Sequence, residues 1–96
     1  MGRFPEVDRD LAIVVPEATP AAAVQEIVRA NAGALLRDVD LFDIYRGRPL
    51  GEDEKSLAYR LTFQAADRTL TEAEADAAIA AVTAGLAVDV GGHIRT

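Results

Sequence analysis

The chain of 96 residues contains no cysteine, no tryptophan and a single histidine, His93. Without cysteine neither a disulfide nor a thiolate zinc site can form, and one histidine does not make a metal-ligand set. No apolar run approaches the ~20 residues that a transmembrane helix needs, and no signal peptide is recognisable. We therefore expect a cytoplasmic domain that holds no metal or other cofactor of its own.

Basic residues are also scarce, because ten Lys and Arg stand against sixteen Asp and Glu, a net charge of −6. A domain that follows the phosphate backbone of a nucleic acid normally carries a basic excess. All the basic residues except Lys55 are arginine, whose planar guanidinium suits bidentate contacts and stacking. The composition excludes general phosphate tracking. It leaves open a domain that reads one base while another part of a complex supplies affinity.

Hydrophobic periodicity divides the chain into strands and helices. Alternating or β-branched patterns predict strands over 7–15, 39–46 and 56–63 and a short edge strand over 93–95. Helical spacing predicts one helix from an N-cap at Thr19 to about residue 36 or 37. A second helix is predicted to begin at a capping box formed by Thr71 and Glu74.

The resulting order, β-α-β-β-α-β, predicts a ferredoxin-like α+β sandwich. Its four-stranded antiparallel sheet should have the strand order 4-1-3-2, with both helices on one face. We expect the domain to cover residues 7–96, after an N-terminal linker over residues 1–6.

Such a sandwich leaves one sheet face without helices, and a binding site is expected there. Strict alternation in the second strand places Phe42 and Ile44 toward the helices and Leu41, Asp43 and Tyr45 on this open face. The other strands are predicted to contribute Asp10, Ala12, Val14, Ser56, Ala58, Arg60, Thr62, His93 and Arg95.

Asp43 has the most suggestive chemistry of this set. Its carboxylate can accept hydrogen bonds from the N1–H and amino group of a guanine, and Arg95 can stack on a base or hold a phosphate. The alternative is an ordinary cross-strand ion pair of Asp43 with Arg60 or Arg95, worth about 0.2–1 kcal/mol.

Two other uses of this fold are disfavoured. An RNA-binding sheet of the RRM kind needs exposed aromatic residues on its central strands, where this chain has Ala12 and Ala58. Acyl-phosphate hydrolysis would need an anion-cradling loop after the first strand, but residues 16–20 contain no glycine and include a glutamate. We expect no catalysis from this chain.

Five short segments, in this order, carry a family resemblance: Arg3-Phe-Pro, Arg9-Asp-Leu-Ala, Leu41-Phe-Asp-Ile-Tyr, Lys55-Ser-Leu-Ala-Tyr-Arg-Leu-Thr-Phe and Asp67-Arg-Thr-Leu-Thr. Over about residues 3–95 the chain resembles the ferredoxin-fold anticodon-binding domain, which closes the β subunit of bacterial phenylalanyl-tRNA synthetase. The resemblance implies that the open face binds the anticodon loop of phenylalanine tRNA and reads its first base, a guanine. It also implies that the chain is a C-terminal piece of a longer subunit.

The base-binding residues of the family correspond here to four positions predicted on the open face: Ala12, Asp43, Ser56 and Arg95. We expect further RNA contacts from Phe4, Arg46, Arg48 and Arg60, while Arg9, Asp10 and Arg68 are open to either a structural role or an RNA contact. Glu52, Asp53 and Glu54 depart from the family pattern and repel phosphate.

The resemblance also implies partners beyond the tRNA: the rest of the β subunit and a catalytic α subunit that uses ATP and Mg²⁺. Neither DNA nor a membrane is an expected partner. The alternative is a ferredoxin-like regulatory or protein-interaction module with no RNA role.

Overall fold

A computed structural model describes residues 4–95, so the motif residue Arg3 and the first half of the predicted linker lie outside the described part. The strands form one antiparallel sheet in the order β2-β3-β1-β4, which is the predicted order counted from the other edge, and both helices pack on one face of it. The predicted ferredoxin-like sandwich is confirmed. Its elements are β1 (Val7–Pro16), α1 (Ala21–Ala32), β2 (Leu36–Tyr45), β3 (Glu54–Phe63), α2 (Glu72–Val90) and β4 (His93–Ile94).

The core lies between the helices and every second residue of the central strands. Leu57, Tyr59, Leu61 and Phe63 of β3 are fully buried, as their alternation predicts. Burial raises the pKa of Tyr59, whose hydroxyl is satisfied by donating to the carbonyl oxygen of Ala21 at 3.0 Å. This hydrogen bond ties the middle of the sheet to the first turn of α1.

The ends of α1 differ from the prediction. Thr19 is not the N-cap: Pro20 takes that position in an extended conformation, and no side chain caps the helix. At the other end the helix stops at Ala32 rather than near residue 36, because Gly33 adopts a φ of 86° that ends the helical path. Leu36, predicted near the helix end, is already the first residue of β2.

The start of α2 is as predicted. The Glu74 amide donates to the Thr71 hydroxyl at 3.2 Å, and the Thr71 amide donates to the Glu74 carboxylate at 3.1 Å, which completes the capping box. The Thr71 amide also lowers the pKa of Glu74. The helix runs through Gly85, where Asn31 of α1 packs against its backbone, and ends at Gly91 in a left-handed conformation.

A bulge in β2 overturns part of the predicted orientation of its side chains. Leu41 pairs with Tyr59 and Asp43 with Ala58, so Phe42 is an extra residue without a partner on β3. Leu41 therefore packs against the core and Phe42 lies on the open face, the reverse of the orientation predicted for these two residues. The predictions for Asp43, Ile44 and Tyr45 hold, because the register resumes after the bulge.

Candidate nucleic-acid interface

Four residues form one row across the open face, here called the alanine row: Arg95, Ala12, Ala58 and Asp43. Ala12 pairs with Ala58 and Ala58 with Asp43, while the Arg95 amide donates to the Ala12 carbonyl oxygen at 2.7 Å. With strands ~4.8 Å apart, the row is ~14 Å wide. The sheet register therefore brings together Ala12, Asp43 and Arg95, three of the four residues that the family resemblance implies, and places Ala58 among them.

The carboxylate of Asp43 is exposed and makes no side-chain hydrogen bond or ion pair within residues 4–95. Arg60, its possible partner by sequence, instead pairs with Asp10, directly opposite on β1. Its Nε and Nη2 donate to the two Asp10 oxygens at 2.8 and 3.0 Å. The Arg60 hydrogen bond lowers the pKa of Asp10, whereas Asp43 keeps its acceptor sites for a ligand.

Ser56, the fourth family-implied residue, lies in the next row toward the β2-β3 loop. It pairs with Val14 and Tyr45, yet Ser56 and Val14 are only 3% and 2% exposed although no helix covers this face. The guanidinium carbon of Arg95 lies 5.2 Å from the centroid of the Tyr45 ring. Because β3 and β1 separate these two residues, their stacked side chains bridge the central strands and account for the burial of Ser56 and Val14.

The hairpin arginines lie at the same end of the sheet. The Tyr45 hydroxyl donates to the carbonyl oxygen of Arg48, which fixes the loop beside the Tyr45 ring. Arg46 forms an exposed ion pair with Glu17 at 2.7 Å, so an incoming phosphate would have to replace that carboxylate. Both arginines are exposed and stay candidates for phosphate contact.

Phe4 is not close to these residues. Its carbonyl oxygen accepts from the Gln64 side chain at 2.6 Å, next to the Val7–Phe63 pair at the far end of β3. That pair is five residues from the alanine row, or ~17 Å along the strand. The predicted RNA contact of Phe4 stays a prediction.

The residues left open by sequence make structural contacts. Arg9 reaches Asp76 on α2 at 2.6 Å and joins the sheet to the helix. Arg68 bonds to Asp67 and Glu74 and so supports the capping box. Asp10 is held by Arg60, as described above.

Sequence reasoning missed two roles on this face. The alternation predicts Tyr45 on the open face but does not mark it as a binding residue, and it predicts Phe42 on the helix side. Both lie in the segment Leu41-Phe-Asp-Ile-Tyr, where apolar residues fall in both alternation phases. Apolar residues at consecutive positions of an edge strand are compatible with a bulge, and bulges are frequent at sheet edges.

Over residues 4–95, no set of three or more possible metal ligands comes together, and neither helix combines the length and apolar character of a membrane span. The open face instead offers a small flat floor, an unpaired carboxylate and two arginine–aromatic stacks. Fold and site together define a ferredoxin-like sandwich whose open sheet face carries the candidate binding residues.

The chain belongs to the ferredoxin-fold anticodon binding domain family, whose model matches residues 2–95. It is 52% identical over 93 residues to the phenylalanine–tRNA ligase beta subunit of Moorella thermoacetica, covering 97% of this chain and 12% of that protein. It is 46% identical over 95 residues to the same subunit of Salinibacter ruber, covering 99% of this chain and 11% of that protein.

The beta subunit of Corynebacterium jeikeium is 45% identical over 95 residues, with 99% of this chain and 11% of that protein covered. The chain thus spans about one eighth of the length of these relatives or less. Of the two functions left open by sequence, the family match supports anticodon binding over a module without an RNA role. An anticodon-binding domain recognises RNA and does not itself catalyse aminoacylation.

Proposed function

We propose that this domain binds the anticodon loop of phenylalanine tRNA in the cytoplasm and reads its first base, a guanine, on the alanine row. The observation that carries the proposal is the unpaired carboxylate of Asp43 at the end of that row. Guanine offers this carboxylate two donors, N1–H and the amino group at C2. Adenine has an acceptor at N1 and no amino group at C2, so it cannot offer Asp43 this pair of donors.

The neighbouring residues suit a flat base. Ala12 and Ala58 are small enough to let a base lie on the sheet beside Asp43. To admit the base, Arg95 leaves the Tyr45 ring, and its guanidinium then stacks on the base or holds a phosphate. The same movement uncovers the Ser56 hydroxyl, which can donate or accept one hydrogen bond.

The hairpin supplies the phosphate contacts in this proposal. Arg46 exchanges Glu17 for a phosphate oxygen, and Arg48 contacts the backbone from the exposed loop. These contacts position the RNA, whereas Asp43 selects the base.

The relatives support a place for the domain in a larger enzyme. We propose that it is part of a phenylalanine–tRNA ligase beta subunit whose catalytic alpha-subunit partner uses ATP and Mg²⁺. The domain needs no cofactor for its own role. With a net charge of −6 it binds RNA weakly alone, and it contributes once the rest of the synthetase holds the tRNA and raises the effective concentration.

A titration of the isotopically labelled chain with a phenylalanine anticodon stem-loop at low salt tests the proposal by NMR. Shifts should centre on Ala12, Asp43, Ser56 and Arg95. Replacing the first anticodon guanine by adenine should weaken binding about 5- to 150-fold, by analogy with a bidentate base contact in duplex DNA.

Matched variants identify the reading group. Asp43→Asn should remove the preference for guanine, whereas Asp38→Asn, on the same strand and face, should keep it. Shifts scattered over the arginines and indifferent to the base change would refute guanine reading on this row.

A further inference from the structure

Phe42 is a large apolar side chain on the open face, at the β2 bulge. It is 49% exposed, and the bulge places it on the same face as the next residue, Asp43. Bulges of this kind often re-aim a side chain beside a binding site. Exposed aromatic rings on a sheet are also the surfaces on which unpaired RNA bases stack.

Arg60 is held over this ring. Its guanidinium carbon lies 5.3 Å from the Phe42 centroid, and two hydrogen bonds to Asp10 fix the plane of the group. A guanidinium restrained in this way loses little further freedom when a base stacks on it. The ring and the guanidinium together present a preorganised stacking surface.

This surface adjoins the alanine row. Phe42 directly precedes Asp43, and Arg60 lies two residues from Ala58 on the same face of β3, or ~7 Å along the strand. A base bound on the alanine row would therefore have its neighbour in the RNA chain within reach of Phe42.

The charges beyond Phe42 limit how far the RNA can continue. Arg60 is the one cation among the cross-strand pairs of the next two open-face rows, which carry four carboxylates, those of Asp8, Asp10, Asp38 and Asp40. Arg37 lies beside Asp38 at a second bulge of β2, without a partner on β3. Only Asp10 has an arginine partner among the described residues. Phosphates are repelled from these rows, so one nucleotide at Phe42 marks the end of the RNA path across the sheet.

We infer that Phe42 and Arg60 form a second stacking site, which takes the base of one nucleotide adjacent to the guanine on the alanine row. The inference rests on the proposed function, because it needs an anticodon loop on this face. It adds a contact that tolerates any base, since stacking does not depend on the hydrogen-bonding edge.

The test is a thermodynamic cycle between Phe42→Ala and stem-loops in which the nucleotide before or after the guanine is abasic. With the intact loop, Phe42→Ala should weaken binding about tenfold, the usual effect of removing one stacked aromatic. With one of the two abasic loops, the same substitution should have almost no effect. Ile44→Ala, an exposed apolar residue on the other face of β2, is the matched control and should leave all affinities unchanged.

Arg60→Lys gives a second readout, because it keeps the charge but lacks the planar group. It should weaken binding to the intact loop but not to the abasic loop on which Phe42→Ala has no effect. If Phe42→Ala has no effect, or the same effect on all three loops, the second site is refuted. A retained preference for guanine over adenine would in that case leave the proposed function standing. If the wild-type chain shows no preference for guanine over adenine, the proposed function is refuted instead. If it binds no stem-loop at all, both the proposed function and the second stacking site are refuted.

Discussion

Asp10 and Asp43 lie on the same open face but differ in what each carboxylate can still bind. Asp10 faces Arg60 across the central strands and receives two hydrogen bonds from it, whereas Asp43 faces Ala58. The sequence identified Asp43 as a candidate but could not exclude its pairing with Arg60. That choice depends on cross-strand register, which puts Arg60 directly opposite Asp10 and removes it as a partner for Asp43.

The pairing of Asp10 can be tested by its titration. Because hydrogen bonding to Arg60 lowers its pKa, Asp10 should titrate below the ordinary aspartate value of 3.8 in a carboxyl-carbon NMR experiment. Because the pKa of Asp10 is lower in the folded state, the ion pair stabilises the fold at any pH above the ordinary aspartate pKa. This stabilisation is lost as the pH falls through the lowered pKa of the folded state. Arg60→Gln should return the titration of Asp10 toward 3.8. An unchanged titration in that variant would contradict the pairing.

At the scale of elements, the sequence predicts the bounds of a strand or helix best where a single pattern, such as alternation or a capping box, is uninterrupted. β3 alternates without interruption and α2 begins with a complete capping box, and both were placed correctly within two residues. β2 was harder, because its bulge shifts Leu41 and Phe42 by one position while keeping every residue extended. The end of α1 differs from the prediction because the apolar spacing continues through Leu35, whereas Gly33 adopts a positive φ that few other residues tolerate.

Gly85 shows a constraint between elements that neither helix reveals alone. A Cβ at this position would lie 2.4 Å from Nδ2 and 2.6 Å from Cγ of Asn31, whose amide is held by the Ile27 carbonyl oxygen at 2.8 Å. Gly85→Ala gains up to about 1 kcal/mol of helix propensity but overpacks this contact, which typically costs about 1–3 kcal/mol. We expect a net loss of stability in urea unfolding.

Asn31→Gly provides the control for this prediction, because it removes the side chain that an alanine at position 85 would meet. In the Asn31→Gly background, Gly85→Ala should become stabilising by up to about 1 kcal/mol. If Gly85→Ala costs the same in both backgrounds, close packing against Asn31 is not the reason for the glycine.

For the molecule as a whole, the aspartates of two open-face rows lie at the opposite end of the sheet from three arginines. Asp8, Asp10, Asp38 and Asp40 lie toward one end, while Arg46, Arg48 and Arg95 lie at or near the hairpin end. In the proposed function, this arrangement would orient an RNA loop toward the alanine row in spite of the net charge of −6. The composition predicts weak RNA binding, but only the assembled sheet shows that these aspartates and arginines lie toward different ends of the open face.

Glu52 and Asp53 offset the positive charge of Arg46 and Arg48, because they lie in the same hairpin loop. The double substitution Glu52→Gln and Asp53→Asn should strengthen stem-loop binding about two- to fivefold at low salt, as expected for exposed charges, and the gain should vanish near 1 M salt. The preference for guanine should not change, because neither residue faces the alanine row. Neutralising Glu26 and Glu72 on the helices changes the net charge equally and is the control, so an equal gain there would show that net charge acts and the hairpin does not.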